Sequence, residues 1–273
     1  MSSAASLAGL ILIAVGATGA ESLEETAGEH PLMPLLRYAS ARYQQLDREI
    51  QDYTCTLVKH ERVRGRLLEP EYLQVKVRHE QVQDGRVVAP LGVYLRFTAP
   101  AVVRDREVIY VAGRHDGQIV VRNGGPRFAY ITTAIDPAGD LAMQRNRYPV
   151  TEIGIRNLVK RLIEVGNEDI QYGQCEVRYY NDAKVNGRKC TAIEVTHPER
   201  RDYFTYHVAR IFVDDELQLP IRYAAYEWPD EEGGEPPLIE EYTYLDLKLN
   251  VGLSDWDFDH RNPEYQFRKS FVP

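Results

Sequence analysis

Two periodicities divide the chain. Between Tyr53 and Asn123 apolar side chains recur at every second position, in YTCTLVKHERV, EYLQVKVRHEQV, LGVYLRF, REVIYVAG and GQIVVRN, the spacing of strands that bury one face. Turn signals at Arg64-Gly65, Asp84-Gly85 and Asp116-Gly117 separate them, which predicts an antiparallel meander. In PLMPLLRYASARYQQLDREIQ, by contrast, Leu32, Leu35, Leu36, Ala39, Tyr43, Leu46 and Ile50 fall on one helical stripe, with Pro31 and Pro34 at its first turn. TEIGIRNLVKRLIEVG predicts a second helix with Thr151 as N-cap, Ile155, Leu158, Leu162 and Val165 on its apolar stripe, and Gly166 at its end.

Residues 124–150 break both periods with Gly, Pro and mixed apolar positions. A loop of that length more often forms a lid or binding element than a passive link. Five further strands are expected, in CEVRYY, KCTAIEV, FTYHVARIFVDD, LPIRYAAYEW and LIEEYTYLDLKLN. In the last, Leu245, Leu247 and Leu249 alternate with Asp246, Lys248 and Asn250, so one face is buried and the other wet. HVARIFV is apolar on both faces. About ten or eleven strands and two long helices predict an α+β fold, mainly antiparallel β: a curled, incomplete, half-open barrel covered by the helices.

Composition narrows the class. With 273 residues and 44% hydrophobic content, one large core is expected, placed at residues 31–267 with a tail at 268–273. The 33 Lys and Arg against 41 Asp and Glu leave a formal charge of -8 with no long basic run, so nucleic acid is not an expected partner. The 18 Tyr against 7 Phe suit walls with an apolar body and a wet rim, although Tyr is also simply a good strand former.

Residues 1–20 carry no charged side chain. Their apolar run from Leu7 to Val15, followed by Gly16, Ala17, Gly19 and Ala20, reads as a secretory signal peptide cleaved near Ala17 or Ala20. The run is shorter than the roughly 20 apolar residues of a membrane span, so no transmembrane segment is expected in the mature chain. A polar linker follows at 21–30. The expectation is an exported protein of the periplasm or cell envelope.

Export permits disulfides, but Cys55, Cys175 and Cys190 are odd in number. The turn VNGR at 185–188 sets Ala183, not Cys175, opposite Cys190, so the cysteines are expected to serve as small buried hydrophobes.

Candidate chemistry is sparse. Asp255, Asp257 and Asp259 in GLSDWDFDHRN imitate a calcium loop, but its Gly position holds His260 and its closing Glu position holds Gln266. Ser254 and Asp257 instead make a capping box, with Leu253 and Phe258 as a hydrophobic staple. His60 and His79 could face each other across the first hairpin. The remaining histidines are scattered, and RDRE at 104–107 reads as an exposed turn. Asp136, Glu152, Asp214, Asp215 and Glu216 read as solvated acids. No catalytic residue, metal ligand or cofactor is expected.

Three segments, DPAGDLAMQRNRYPVTEIGI, HVARIFVDDELQLPIRYAAYEWP and IEEYTYLDLKLNVGLSDWDFD, resemble the bacterial domain-of-unknown-function family 1571 over roughly residues 50 to 267. The order of elements, ending in a strand and LxDxxF, is also similar to the periplasmic lipoprotein carrier LolA and its lipid-binding relatives. That resemblance implies an open barrel whose helical lid holds acyl chains, and no LolA residue role carries over.

The expected function is a non-catalytic exported protein binding a lipid, an acyl chain or a lipoprotein, with an envelope protein as a possible partner. Its cavity walls would be Val93, Leu95, Phe97, Val108, Tyr110, Leu245, Leu247 and Leu249, with Leu35, Ala39, Tyr43 and Leu46 on the covering helix. The alternatives are a cell-envelope scaffold with a filled core and a hydrolase using carboxylates near the 124–150 loop.

Overall fold

The computed structural model describes residues 28–231 and 233–271, so the expected signal peptide lies outside the described residues. α1 (Met33–Glu49) leads into β1 (Asp52–Val63), β2 (Arg66–Leu67), β3 (Glu71–Arg78), β4 (Gln81–Gln83), β5 (Arg86–Ala89), β6 (Gly92–Ala99), β7 (Glu107–Val111), β8 (Ile119–Arg122) and β9 (Thr132–Ile135). After α2 (Asp140–Met143) and α3 (Ile155–Asp169) come β10 (Glu176–Val185), β11 (Arg188–Thr196), β12 (Val208–Asp214), β13 (Pro220–Tyr226) and β14 (Leu238–Leu249). The excess over ten or eleven strands comes from β2, β4, β5 and β9, each four residues or shorter and too brief to show a period.

All but β4 and β5 form one antiparallel sheet, in the order β10, β11, β12, β13, β14, β1, β3, β6, β7, β8, β9, with β2 on β1. The sheet does not close into a barrel. β9 and β10 follow each other in sequence yet form opposite edges, ten strand steps apart, which is roughly 48 Å if flat. The chain between them therefore has to cross a whole face. Residues 136–169 make that crossing, so topology accounts for much of the length of the 124–150 loop, which also contains β9.

α1 and α3 pack on that face over two clusters. One gathers Leu46, Ile50, Tyr53, Leu57, Leu73, Val93 and Ile155; the other gathers Leu32, Leu36, Ile193, Ala209 and Ile211. The helix-side positions of β6, β7 and β8 are not all that is buried: Tyr94, Ile109, Val111 and Val120 form a third cluster on the reverse face with Phe258, Tyr265 and Phe267. The GLSDWDFDHRN stretch is the cover there. Its 3-10 turn Asp255–Phe258 has the Ser254/Asp257 capping box, and Leu253 packs beside Phe258 in the same cluster. A Cβ on Gly92 would come within 2.8 Å of the Phe258 ring, so the close seat depends on glycine.

Two helix boundaries differ from expectation. Val150–Glu152 is a 3-10 turn, and α3 begins only at Ile155, so Thr151 is not its N-cap. Gly154 takes that position with φ 114°, and the Tyr53 hydroxyl accepts the Ile155 N–H at 3.2 Å. Gly166 does not end the helix, which runs to Asp169; it is buried where α3 meets α1, and a Cβ there would lie 2.7 Å from Leu36 Cδ2. A close helix–helix approach, rather than a C-cap, explains the glycine.

The alternation expected in β14 also fails, at Asp246. That residue has φ 52°, and the β1 pairing slips between Thr54/Lys248 and Thr56/Leu245. The bulge changes parity: Tyr242 and Tyr244 before it, and Leu247 and Leu249 after it, all join the helix-side core. Leu245 therefore does not share the face of Leu247 and Leu249.

The β10–β11 turn places Ala183 opposite Cys190 as expected, and all three cysteines are free. His60 and His79 do not meet, because Lys59 pairs with Glu71 while the His79 N–H donates to Gln51 O at the far end of β1. The outer strand β10 has exposed Glu176, Arg178, Asn181, Asp182 and Lys184, and its pairing shifts between Tyr180 and Ala183 beside Asp182 (φ 62°). Among the described residues no helix is long and apolar enough to cross a membrane.

Candidate functional site

Two chambers lie between the sheet and its helical cover. The larger, ≈ 640 Å³, has Leu57, Leu73, Leu95, Phe97, Val108, Ile119, Val121 and Tyr244 on its walls and is roofed by residues from Pro137 to Glu164. The smaller, ≈ 210 Å³, lies between α1, α3 and strands β11 to β14. Tyr148, Arg161, Leu162, Tyr223 and Glu240 line both, so the chambers meet at these side chains.

The expected wall residues divide. Leu95, Phe97 and Val108 line the larger chamber, and Leu35, Ala39 and Leu46 the smaller. Val93, Tyr110, Leu247, Leu249 and Tyr43 belong to the packed core. Leu245, displaced by the bulge, is not grouped with them.

One end of the larger chamber is charged. Lys59 on β1 and Glu71 on β3 are cross-strand partners, with Nζ 3.0 Å from Oε2, and Arg145 from the crossing segment donates its Nε to Glu71 Oε1 at 2.8 Å. Lys59 also donates to Arg145 O at 3.2 Å and to Asn146 Oδ1, and lies 3.3 Å from Glu61 Oε2. Arg147 Nε donates to Glu240 Oε2 at 2.8 Å and its backbone N–H to Glu61 Oε2 at 3.2 Å. Tyr148 donates to Glu240 at 3.2 Å, and Tyr242 donates to Glu61. Residues 145–148 are thus strapped to β1, β3 and β14 by buried carboxylates. Burial pushes the Glu240 carboxyl upward against the opposing pull of Arg147.

Arg106 completes this end. RDRE is only half a turn: Arg106 lines the larger chamber, with its guanidinium carbon 5.7 Å from the Phe97 ring centroid. Glu107, buried on the reverse face, accepts from Tyr94 OH at 2.7 Å and from Gln266 N–H at 2.8 Å. Arg106 Nε is buried without a hydrogen-bond partner, and burial holds the guanidinium below its ordinary pKa. The turn before it rests on Gly124, where a Cβ would stand 2.3 Å from Arg106 N.

A pattern in the sequence points to these residues. Lys59 and Glu61 continue the parity of Cys55 and Leu57, Glu71 that of Leu73 and Val75, Arg106 that of Val108, and Glu240 that of Tyr242 and Tyr244. Charges in phase with an inward face either desolvate or meet partners there, and reading acids as solvated by default misses them.

Next to the smaller chamber, at the end of α3, Asp169 Oδ2 accepts from Tyr206 OH at 2.9 Å and lies 3.4 Å from His197 Nε2. His197 Nδ1 is 3.2 Å from the carbonyl oxygen of Tyr206. Burial pushes Asp169 up to about 6 and His197 down to about 4, so the carboxyl keeps its proton to a higher pH than usual and the imidazole stays neutral to a lower one. Cys175 Sγ is 4.0 Å from His30 Nε2, but burial pushes its thiol up to about 11, the wrong direction for a nucleophile. Among the described residues no three His, Cys, Asp or Glu side chains are grouped to hold a metal ion.

No curated protein matches the chain. Among solved structures it is similar to a DUF1329 family protein from Desulfovibrio piger ATCC 29098, at 17% identity over 84% of this chain and 98% of that one, with a TM-score of 0.40. An outer membrane lipoprotein-sorting protein domain from Vibrio parahaemolyticus is similar at 11% identity, over 83% and 96% of the two chains, with a TM-score of 0.39. A LolA superfamily protein from Nitrosomonas europaea is similar at 13% identity, over 81% and 97%, with a TM-score of 0.32. The model of the family described as protein of unknown function (DUF1571) matches residues 50–267, and the chain belongs to that family.

Proposed function

We propose that the protein is a non-catalytic exported binding protein that holds a lipid, an acyl chain or the acyl chains of a lipoprotein beneath its helices. The observation that supports this most is the larger chamber: ≈ 640 Å³ of mostly apolar wall, within the roughly 300–1,000 Å³ of small-molecule sites. Ten buried methylenes would contribute about 8 kcal/mol before the cost of ordering the chain, enough for a useful carrier affinity. The apolar run from Leu7 to Val15 supports export to the periplasm or cell envelope.

Native mass spectrometry of protein purified from the envelope fraction, with titration by a fluorescent fatty acid, tests the reading. Co-purified lipid and saturable uptake are expected. A lipid-free chain that takes up no probe overturns it in favour of an envelope scaffold. A carboxylate-dependent hydrolase is the second reading, favoured by the raised pKa of Glu240 with Glu61 nearby. Here Glu61, Glu71 and Glu240 are each held by a cation, Lys59, Arg145 and Arg147 in turn, the arrangement of structural counterions. Ester turnover abolished by Glu240→Gln would establish the hydrolase instead.

A further inference from the structure

We infer that the ligand of the larger chamber is an anionic amphiphile, whose carboxylate or phosphate end pairs with Arg106 while its chain lies along the apolar wall. This rests on the proposal that the chamber binds an apolar chain, and it adds the chemistry of the other end.

The argument is a charge inventory. Around the charged end of the chamber stand four cations and three carboxylates: Lys59, Arg106, Arg145, Glu61 and Glu240 line it, while buried Glu71 and exposed Arg147 stand outside the lining as their ion-pair partners. Each carboxylate is matched: Glu61 with Lys59, Glu71 with Lys59 and Arg145, Glu240 with Arg147. Arg106 alone has no carboxylate within ion-pair distance among the described residues: Glu71, already paired with Lys59 and Arg145, attracts it only from farther off while Arg145 repels it, and its Nε makes no hydrogen bond. The other charges on the chamber lie at its mouth, where Lys160 pairs with Glu164 at 3.6 Å and Arg161 and Glu152 are exposed, so solvent screens them.

A desolvated guanidinium beside apolar wall is poorly placed unless an anion meets it, and its planar fork matches a carboxylate or a phosphate monoester. The geometry suits an amphiphile: Phe97, against which Arg106 lies, is itself a wall residue, so a chain along Leu95, Phe97 and Val108 brings its end group to the guanidinium. Gly124 lets the turn that carries Arg106 pack backbone on backbone.

The test uses three probes of one chain length, dodecanoate, dodecyl phosphate and dodecanol, each displacing the neutral dye N-phenyl-1-naphthylamine from the full chain and from Arg106→Gln. The wild type should bind one or both anions about 10- to 100-fold more tightly than the alcohol, the scale of a charged hydrogen bond. Arg106→Gln should erase that preference while leaving dodecanol affinity unchanged, which also shows that the variant is folded. The tighter of the two anions identifies the end group as carboxylate or phosphate. Equal binding of alcohol and anions by the wild type, or a preference that survives in Arg106→Gln, overturns the inference and leaves chain binding intact. Failure of all three probes overturns chain binding as well.

Discussion

Glu71→Gln isolates the electrostatic strap. Glu71 is 2% exposed and neutralises two cations at once, Lys59 at 3.0 Å and Arg145 at 2.8 Å, whose side chains are 9% and 26% exposed. The amide keeps the volume but removes the charge. Lys59 retains Glu61 and the Asn146 oxygen, whereas Arg145 loses its only ion pair among the described residues and stays near Arg106. Removing one partner of a buried pair costs about 3–5 kcal/mol, and Arg145 can turn partly to water, so the lower end, about 3 kcal/mol, is expected. With a urea slope of about 3 kcal/mol/M for a chain of this size, the midpoint should fall by about 1 M in equilibrium unfolding followed by Trp fluorescence. Asp140→Asn, which breaks the solvent-exposed pair with Arg64, is the control and should leave the midpoint in place. A Glu71→Gln midpoint within about 0.3 M of wild type, at unchanged slope, refutes the reasoning that this carboxylate holds the strap.

Two further outcomes follow from the geometry. Asp169, raised from 3.8 to about 6, costs stability as pH climbs from about 4 to 6, because the unfolded chain has already ionised; His197, lowered from 6.5 to about 4, costs stability as pH falls from 6.5 to 4, because only the unfolded chain takes the proton. The two oppose, so Asp169→Asn should expose the histidine and lose about 3 kcal/mol on acidification across that window, while His197→Gln should reverse the slope; parallel urea midpoints from pH 4 to 7 in both variants would contradict the assignment. Gly124→Ala should destabilise by about 3 kcal/mol, the upper end for overpacking, since its Cβ would meet Arg106 N at 2.3 Å and the Arg104 and Val103 carbonyl oxygens at 2.5 Å, and a wild-type midpoint would disprove that packing.

The periodic elements were legible because burial on one face leaves a period. β1, β3, β6, β7 and β8, α1, and the Ala183–Cys190 register all stand where their spacing and turns place them. The Ser254/Asp257 capping box was legible because it is local chemistry. What escaped were features made by distant contacts. Gly166 reads as a helix end until Leu36 is seen against it, and Asp246 reads as an outward polar residue until the β1 register shows a skipped position. Thr151 has the chemistry of an N-cap, but Gly154 and the Tyr53 hydroxyl supply the helix start. The charged end was half visible: Lys59, Glu61, Arg106 and Glu240 keep inward parity, but only the crossing segment brings Arg145 and Arg147 to meet them.

The outer strand β10 has a consequence for the protein in a crowded compartment. An open sheet offers its unpaired backbone to any other strand, and a second copy of the same edge is the most abundant candidate. On β10, charged Glu176, Arg178, Asp182 and Lys184 face outward, and the bulge beside Asp182 interrupts the run of regularly spaced donors and acceptors. A second strand laid along it would lose register midway and desolvate charge on both sides of the break. The same irregularity that looks like a flaw in the ladder therefore guards the chain against edge-to-edge fibre growth.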